Sequence, residues 1–357
     1  MRTHRWLLPV SWLYRIGVET RNLLFDRGVL RSRSFDLPVV SVGNLAVGGT
    51  GKTPHVEYLI RLLGDHCRVA VLSRGYKRRT HGFVLAGDGS TADDIGDEPM
   101  QIKSKFGDIH VAVDADRCEG IERLIADPAT ADTDVVLLDD AFQHRYVKPG
   151  LSILLIEHER AGGDCLLPAG RLREPMSSLR RADIVVVTKC PGDMTPEEAA
   201  AIRRRLRHLQ GKPLFFTTMA YGELAPVFGG ERQVPCTLTP DSHVLLITGI
   251  ANPAPLLKET GRHTRHVTHL AYGDHHAFTV ADIRAINDAF AALPPHSLAI
   301  TTEKDAARLS AVDGLSDKVR DSLCQWPIRV SFLHGGADAF DQLVNDYVGR
   351  AKRRPAQ

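Results

Sequence analysis

Three groups of residues carry readable chemistry in this chain. Gly48, Gly49, Thr50, Gly51, Lys52, Thr53 and Pro54 are consecutive, between an apolar run at 37–42 and a helix-periodic run at 56–63. Glycines let backbone N–H groups converge on phosphate oxygens, and a helix start adds partial positive charge. Lys52 is expected to reach the β- and γ-phosphates, and Thr53 to offer its hydroxyl to Mg2+. Pro54 suits a first helical turn, where its missing N–H is not needed. The strict phosphate-loop pattern has glycine where this chain has Ala46. The second group is Asp139 and Asp140, which end the apolar run 135–138; carboxylates at such a strand end order a Mg2+ shell. Gln143 and His144 follow, near the expected γ-phosphate. The third is Asp97 and Glu98, in an acidic, turn-like stretch before a helix predicted at 100–106. Such carboxylates accept a hydroxyl proton or hold Mg2+, or simply begin the helix.

Basic side chains flank these groups. Arg74, Lys77, Arg78 and Arg79 follow a predicted strand at 67–73, at the sheet edge where open α/β proteins bind ligands. They suit an anionic guest or form a solvated charge run. The stretch 166–175, with Arg171, Arg173 and Glu174, is too polar for core and reads as a loop over the active face.

The elements that must position them follow a βα rhythm. Strands are expected at 37–42, 67–73, 109–113, 135–139, 151–157, 182–189 and 213–217, with helices at 56–63, from 114, and at 194–209. That pattern predicts a phosphate-loop NTPase-like α/β fold, a parallel sheet covered by helices on both faces. Residues 36–222 form this first domain. A Gly/Pro-rich hinge is expected at 223–240, and a second, smaller α/β domain at 241–357, with strands at 244–248, 265–270, 298–302 and 328–332 and a closing helix at 337–350. Its histidines, His263, His266, His269, His275 and His276, lack the i,i+4 spacing beside an acid that zinc sites show.

The chain's 357 residues, 43% apolar and 25% charged, suit two globular domains. A net charge of +2 argues against nucleic-acid binding. Cys67, Cys118, Cys165, Cys190, Cys236 and Cys324 form no CxxC pair, which suggests free thiols in a reducing compartment. No run approaches the roughly 20 apolar residues of a membrane span, and the short apolar stretch 6–14 lacks the marks of a secretory signal. A cytoplasmic protein, or one on the inner side of a membrane, is expected. Residues 1–35 form an arm that carries seven arginines against Glu19 and Asp26, together with Trp6 and Trp12. Leu8, Trp12 and Ile16 share one helical face. Such an amphipathic helix lies on an anionic bilayer surface, or packs on the domain.

Assembled, these residues resemble the tetraacyldisaccharide 4'-kinase family, the lipid A kinases of bacterial outer-membrane assembly. The resemblance rests on Val42-Gly-Asn44, the run 48–54, Ser73-Arg-Gly-Tyr76, Gly96-Asp-Glu-Pro99, Asp114-Ala-Asp-Arg117, Leu138-Asp-Asp-Ala-Phe-Gln-His144, the run 168–175, Asp274-His-His276 and Thr302-Glu-Lys-Asp305. It implies ATP and Mg2+ as cofactors and transfer of the γ-phosphoryl group to the 4'-hydroxyl of a tetraacyl glucosamine disaccharide 1-phosphate. It further implies a peripheral enzyme on the cytoplasmic face of the inner membrane, held there by the N-terminal helix, with no obligate protein partner. Carried over residue by residue, Asp97 is the base for the sugar hydroxyl and His275 its partner across a cleft. Thr53, Asp139 and Asp140 serve the metal, with Glu98 and Glu174 in support. Asn44, Arg74, Arg117, His144, Arg171 and Arg173 face the lipid or the transferring charge. The competing readings are a dethiobiotin-synthetase-like phosphate-loop enzyme, which has no use for the arm, and a membrane-peripheral NTPase switch.

Overall fold

The computed structural model describes residues 4–206, 211–229, 235–274 and 276–352. The chain divides into two compact units, Met1–Ala220 with Val330–Gln357, and Tyr221–Arg329.

The first unit is built on β1 (Val39–Asn44), β2 (Val69–Ser73), β3 (Val84–Leu85), β4 (His110–Val113), β5 (Val135–Asp139), β6 (Leu151–Glu157), β7 (Ile184–Thr188), β8 (Leu214–Tyr221) and β14 (Ile328–Phe332). They lie in the order β14-β8-β7-β6-β1-β5-β2-β4-β3. From β8 through β4 every pairing is parallel; β3 pairs antiparallel with β4. Alternate strand residues serve opposite layers, which is why the strands read as continuous apolar runs. Val40, Val42, Val69, Val71, Val135 and Leu137 pack with Val56, Leu59, Ile60 and Leu63 of α2 (Lys52–Gly64). Val39, Ala70, Leu72, Val136 and Leu138 pack with Ile121 and Leu124 of α5 (Arg117–Ala126). Both faces are therefore covered, and the phosphate loop follows the central strand β1.

The domain boundaries expected from sequence need correction. The predicted strand 328–332 and closing helix do not belong to the second domain: β14 joins the edge of the first sheet, and α11 (Ala337–Lys352) packs on that sheet's face. Phe340, Val344 and Val348 recur every four residues and bury in the same core as β1 and α2. The Tyr347 hydroxyl accepts from the Val39 amide at 3.1 Å and donates to its carbonyl at 3.2 Å. The second unit starts at Tyr221, and the expected hinge supplies an edge strand, β9 (Ala225–Pro226), antiparallel to β13 (Leu323–Trp326). Residues 230–234 of that hinge, and 207–209 of the helix predicted at 194–209, lie outside the described residues. The remaining strands, β10 (His243–Thr248), β11 (His266–Ala271) and β12 (Leu298–Thr302), pair in parallel in the order β11-β10-β12-β13-β9. Cys236 and Cys324 form a disulfide with Cα atoms 6.1 Å apart, contrary to the expectation of six free thiols. They are 88 residues apart in sequence but both face the core beside Trp326, so spacing gave no sign of the pair.

The N-terminal helix α1 (Leu8–Asp26) reverses the usual amphipathic arrangement. Its polar side is the packed one. Ser11 Oγ donates to the Leu166 carbonyl (3.0 Å), the Tyr14 hydroxyl to the Arg173 carbonyl (3.0 Å), and Arg21 to the Gln143 carbonyl (3.0 Å). Asn22 donates to Glu174, and Arg145 pairs with Asp26 at 2.6 Å. Trp6, Leu8, Val10, Trp12, Leu13 and Ile16 are left exposed. No helix among the described residues is long and apolar enough to cross a membrane.

Candidate active site

The turn from β1 into α2 is held in an unusual backbone shape by glycine. Gly51 caps α2 in the left-handed region (φ 83°), and a Cβ there would come within 2.5 Å of the Met219 methyl. Gly43 in β1 allows the loop after β5 to approach: a Cβ would meet Phe142 Cβ at 2.6 Å and its amide nitrogen at 2.9 Å. The loop carrying Asp140 and Gln143 is thereby seated against the phosphate loop.

The two carboxylates at the end of β5 have different surroundings. Asp139 is 1% exposed, and its Oδ1 has no hydrogen-bond partner. Burial, reinforced by the nearby Glu98 carboxylate, pushes its pKa up to about 7. Asp140 has φ 50° and turns toward cations: Lys52 Nζ lies 3.6 Å from Oδ2, and Arg173 grips both oxygens at 2.7 and 3.3 Å. Burial opposes ionisation of Asp140, but Lys52 and Arg173 outweigh it and hold the carboxyl below its usual range. Such a fork on a carboxylate fixes both partners geometrically.

Asn44 lies at the centre of the polar contacts. Its carbonyl accepts from Gln143 Nε2 at 2.7 Å, its Oδ1 from Arg173, and its Nδ2 donates to Thr50 Oγ1 at 2.5 Å. Sequence-predicted Asn44, Thr50, Lys52, Asp139, Asp140, Gln143 and Arg173 are therefore brought together. Arg117 is buried, donates to the carbonyls of Asp114 and Ala115, and leaves Nε unpaired. Burial lowers its pKa, while the charges of Asp139 and Asp140 support its ionised form. His144 is pushed down to about 4 by burial and the Arg117 charge, so it is neutral near pH 7. A His144 ring nitrogen, Cys118 Sγ and an Asp116 oxygen lie within 4.8 Å of one another, with Nε2 3.8 Å from Asp116 Oδ1. Arg74 is exposed, but its charge is felt at both Arg117 and His144. Arg171 lies over the loop, its Nη1 3.5 Å from where a Gly48 Cβ would sit.

The 166–175 loop is not wholly the polar flap expected from its composition. Leu166 and Leu172 are buried in a core cluster and Ala169 is buried as well, while Arg173 N–H donates to the Leu45 carbonyl and Val47 N–H to the Arg171 carbonyl. The leucines anchor the segment along the phosphate loop, and the arginines on either side of Leu172 face the site. Glu174 is buried, but it is engaged by Arg181 and by Asn22 of α1, with Oε1 unpaired.

Asp97 and Glu98 open α4 (Asp97–Lys105), after the short α3 (Ala92–Ile95). The position of α4 relative to the phosphate-loop helix is set by Glu57, an acid 1% exposed on α2. It accepts from Gln101 at 3.0 Å, and pairs with Lys105 at 2.7 Å and Arg61 at 3.1 Å. Sequence reasoning missed Glu57. The available signal was an acid within the apolar run 56–63. It also missed His55, Thr188 and Thr217. His275 lies outside the described residues. Its neighbour His276 pairs at 2.9 Å with Asp282, in the capping box of α8 (Val280–Ala291), within its own unit.

A glycine-shaped loop between a central parallel strand and a helix, with lysine at the helix start and carboxylates at the end of the neighbouring strand, defines a phosphate-loop nucleoside-triphosphatase-like α/β protein. A family model described as tetraacyldisaccharide-1-P 4'-kinase (LpxK) matches residues 3–348, and the chain belongs to that family. It is 48% identical over 356 residues to the tetraacyldisaccharide 4'-kinase of Phocaeicola vulgatus, covering 99% of this chain and 97% of that one. It is 51% identical over 360 residues to the tetraacyldisaccharide 4'-kinase of Parabacteroides distasonis, covering 99% and 98%. Among solved structures it is similar to LpxK from Aquifex aeolicus, crystallised in complex with ATP. That match has a TM-score of 0.74 at 29% identity and covers 97% of this chain and 99% of the other.

Proposed function

We propose that this chain transfers the γ-phosphoryl group of ATP to the 4'-hydroxyl of a tetraacyl glucosamine disaccharide 1-phosphate, in lipid A biosynthesis. The observation that carries the reading is the Lys52–Asp140–Arg173 cluster at the start of α2, with Asp139 buried behind it. Phosphoryl transfer needs little covalent work from the protein; it needs positioning and charge neutralisation. Lys52 and the loop amides bind the triphosphate, while Arg117, Arg171 and Arg173 provide positive charge for the transferring group or the acceptor's own phosphate.

The donors present suit Mg2+, a hard cation that takes oxygen ligands. Asp139 is a buried carboxylate with a free oxygen, and its ionisation is suppressed by burial and by Glu98; a divalent cation would relieve both. Asp139, Thr53 and Glu98 would hold it, with Asp140 beside them. Glu174 has one unpaired oxygen, but its other oxygen is committed to Arg181 and Asn22. Bound Mg2+ would neutralise phosphate charge. Asp97 is proposed as the base that takes the proton of the sugar hydroxyl, and His275 as the residue that assists it, on the family resemblance.

The outward apolar side of α1 favours an acyl-chain substrate met at a membrane surface. Contiguous exposed apolar patches of this kind mark interaction sites, and aromatic residues suit the headgroup region. The same helix hydrogen-bonds the backbone at Arg173 and Gln143, so the greasy face belongs to the element that braces the phosphate site. A peripheral position on the cytoplasmic face of the inner membrane follows from this reading. The test is incubation with γ-labelled ATP and a panel of glucosamine disaccharides that differ in acylation and in 1-phosphate. Label should enter the tetraacyl 1-phosphate acceptor. Label entering none of them, with ATP hydrolysed at the same rate whether or not acceptor is present, would overturn the proposal.

A further inference from the structure

The phosphate loop is fastened from outside by side chains that no phosphate would touch. Thr188, at the C-terminal end of β7 and fully buried, donates its hydroxyl to the Thr50 carbonyl at 2.9 Å. His55, in the first turn of α2 and 3% exposed, places Nδ1 2.7 Å from the Gly51 carbonyl and Nε2 3.1 Å from the Thr217 hydroxyl on β8. A carbonyl only accepts, so Nδ1 carries the hydrogen and Nε2 accepts from Thr217. Burial pushes the His55 pKa down to about 4, although the Gly51 carbonyl opposes that shift. The ring is therefore neutral near pH 7 and keeps this tautomer.

A trans peptide sets C=O and the following N–H on opposite sides of one plane. Holding the Thr50 carbonyl toward β7 turns the Gly51 N–H the other way. Holding the Gly51 carbonyl toward His55 does the same for the Lys52 N–H. The Thr50 side chain is fixed as well, by Asn44 Nδ2. We propose that Thr188 and the His55–Thr217 pair are positioning residues that pre-set the Gly51 and Lys52 amides for the nucleotide's phosphates. The proposal rests on the ATP reading above. Without the clamp the Thr50–Gly51 peptide must be oriented when nucleotide binds, and the Gly51–Lys52 peptide keeps only the 3.3 Å bond from the His55 amide to the Gly51 carbonyl; that ordering cost lowers affinity.

The test compares Thr188→Val, which keeps the shape but removes the donor, with Thr188→Ser, which keeps the hydroxyl, and adds His55→Phe. Losing one hydrogen bond to the loop is expected to weaken binding about five- to tenfold. Thr188→Val and His55→Phe should therefore raise both KM for ATP and the Kd of a non-hydrolysable ATP analogue by that factor. The KM for the acceptor should stay within about twofold, and Thr188→Ser should stay near wild type. If His55→Phe fails to fold, Thr217→Val breaks the same link. Wild-type nucleotide affinity in folded Thr188→Val, or equal losses in the Val and Ser variants, overturns the proposal. Calorimetric nucleotide binding needs no acceptor. Failure of wild-type protein to phosphorylate any disaccharide would therefore count against the kinase reading and leave this inference to stand or fall on the Kd values.

Discussion

Asp139 should cost the nucleotide-free protein stability, and the cost should depend on pH. Its carboxyl is displaced from 3.8 to about 7 by burial, with Glu98 adding repulsion. Below the ordinary carboxylate range the side chain is protonated in both folded and unfolded chains and costs nothing through ionisation. As pH rises the unfolded chain ionises first, so folding loses free energy until the folded group also ionises near 7; above that the loss is constant. At about 1.36 kcal/mol per tenfold change in ionisation, that displacement sets a ceiling of about 4 kcal/mol near pH 8, and about 2 kcal/mol near pH 5. Asp139→Asn keeps the shape and removes the charge. The variant should be more stable than wild type near pH 8, by an amount about 2 to 3 kcal/mol greater than near pH 5. Hydrogen-exchange protection of core amides in β1 and β5, corrected for intrinsic rates, reads the opening free energy of this unit directly. The same substitution should abolish most phosphoryl transfer. A stability difference that does not change with pH, or that favours wild type at high pH, would refute the burial argument.

Other perturbations separate the site's parts. Asp97→Asn should lower kcat by about 10² or more and leave the ATP-analogue Kd unchanged; an unaltered kcat removes Asp97 from proton transfer. Glu57→Gln removes the buried charge that Lys105 and Arg61 pair with and loosens α4 from α2, so about 2 kcal/mol of stability should be lost. It should also reduce kcat more than it raises KM for ATP, as steady-state kinetics would show. Trp12 and Leu13 are 65% and 66% exposed, so Trp12→Ser with Leu13→Ser should leave Tm within a few degrees. It should weaken binding to anionic vesicles and raise KM for a vesicle-borne acceptor about tenfold; unchanged vesicle binding would remove α1 from membrane attachment. Truncating the arm is a poorer probe, because Ser11, Tyr14, Arg21 and Asn22 hydrogen-bond to the site's own loops.

The chemistry of the phosphate loop was legible because it depends on local spacing. Glycines, Lys52 and Thr53 must be consecutive to form one turn, and Asp139 and Asp140 must end an apolar strand. The parallel sheet was legible for a similar reason, since strands buried on both faces lose period-two alternation. What escaped the sequence depends on distant partners. Phe340, Val344 and Val348 show that α11 has an apolar face but not which sheet it covers. Thr188, His55 and Thr217 are ordinary residue types whose role appears only when β7, β8 and α2 are adjacent. Glu57 gave a weak sign, a charge in an apolar stripe, whose explanation lay forty-odd residues away in Gln101 and Lys105. In α1 the residue pattern was read correctly but its orientation was not determined by it: a helix with one polar and one apolar face can pack by either. Hydrogen bonds to loop carbonyls chose the polar face.

Central to this account is that the terminal phosphate of ATP is gripped at the start of α2, beside Asp140 and Arg173. A crystal structure with a non-hydrolysable ATP analogue tests it most directly. The triphosphate should be wrapped by the amides of residues 48–53, with Lys52 Nζ on the terminal phosphate. A nucleotide bound elsewhere, with Lys52 still paired to Asp140 and the loop empty, would contradict it.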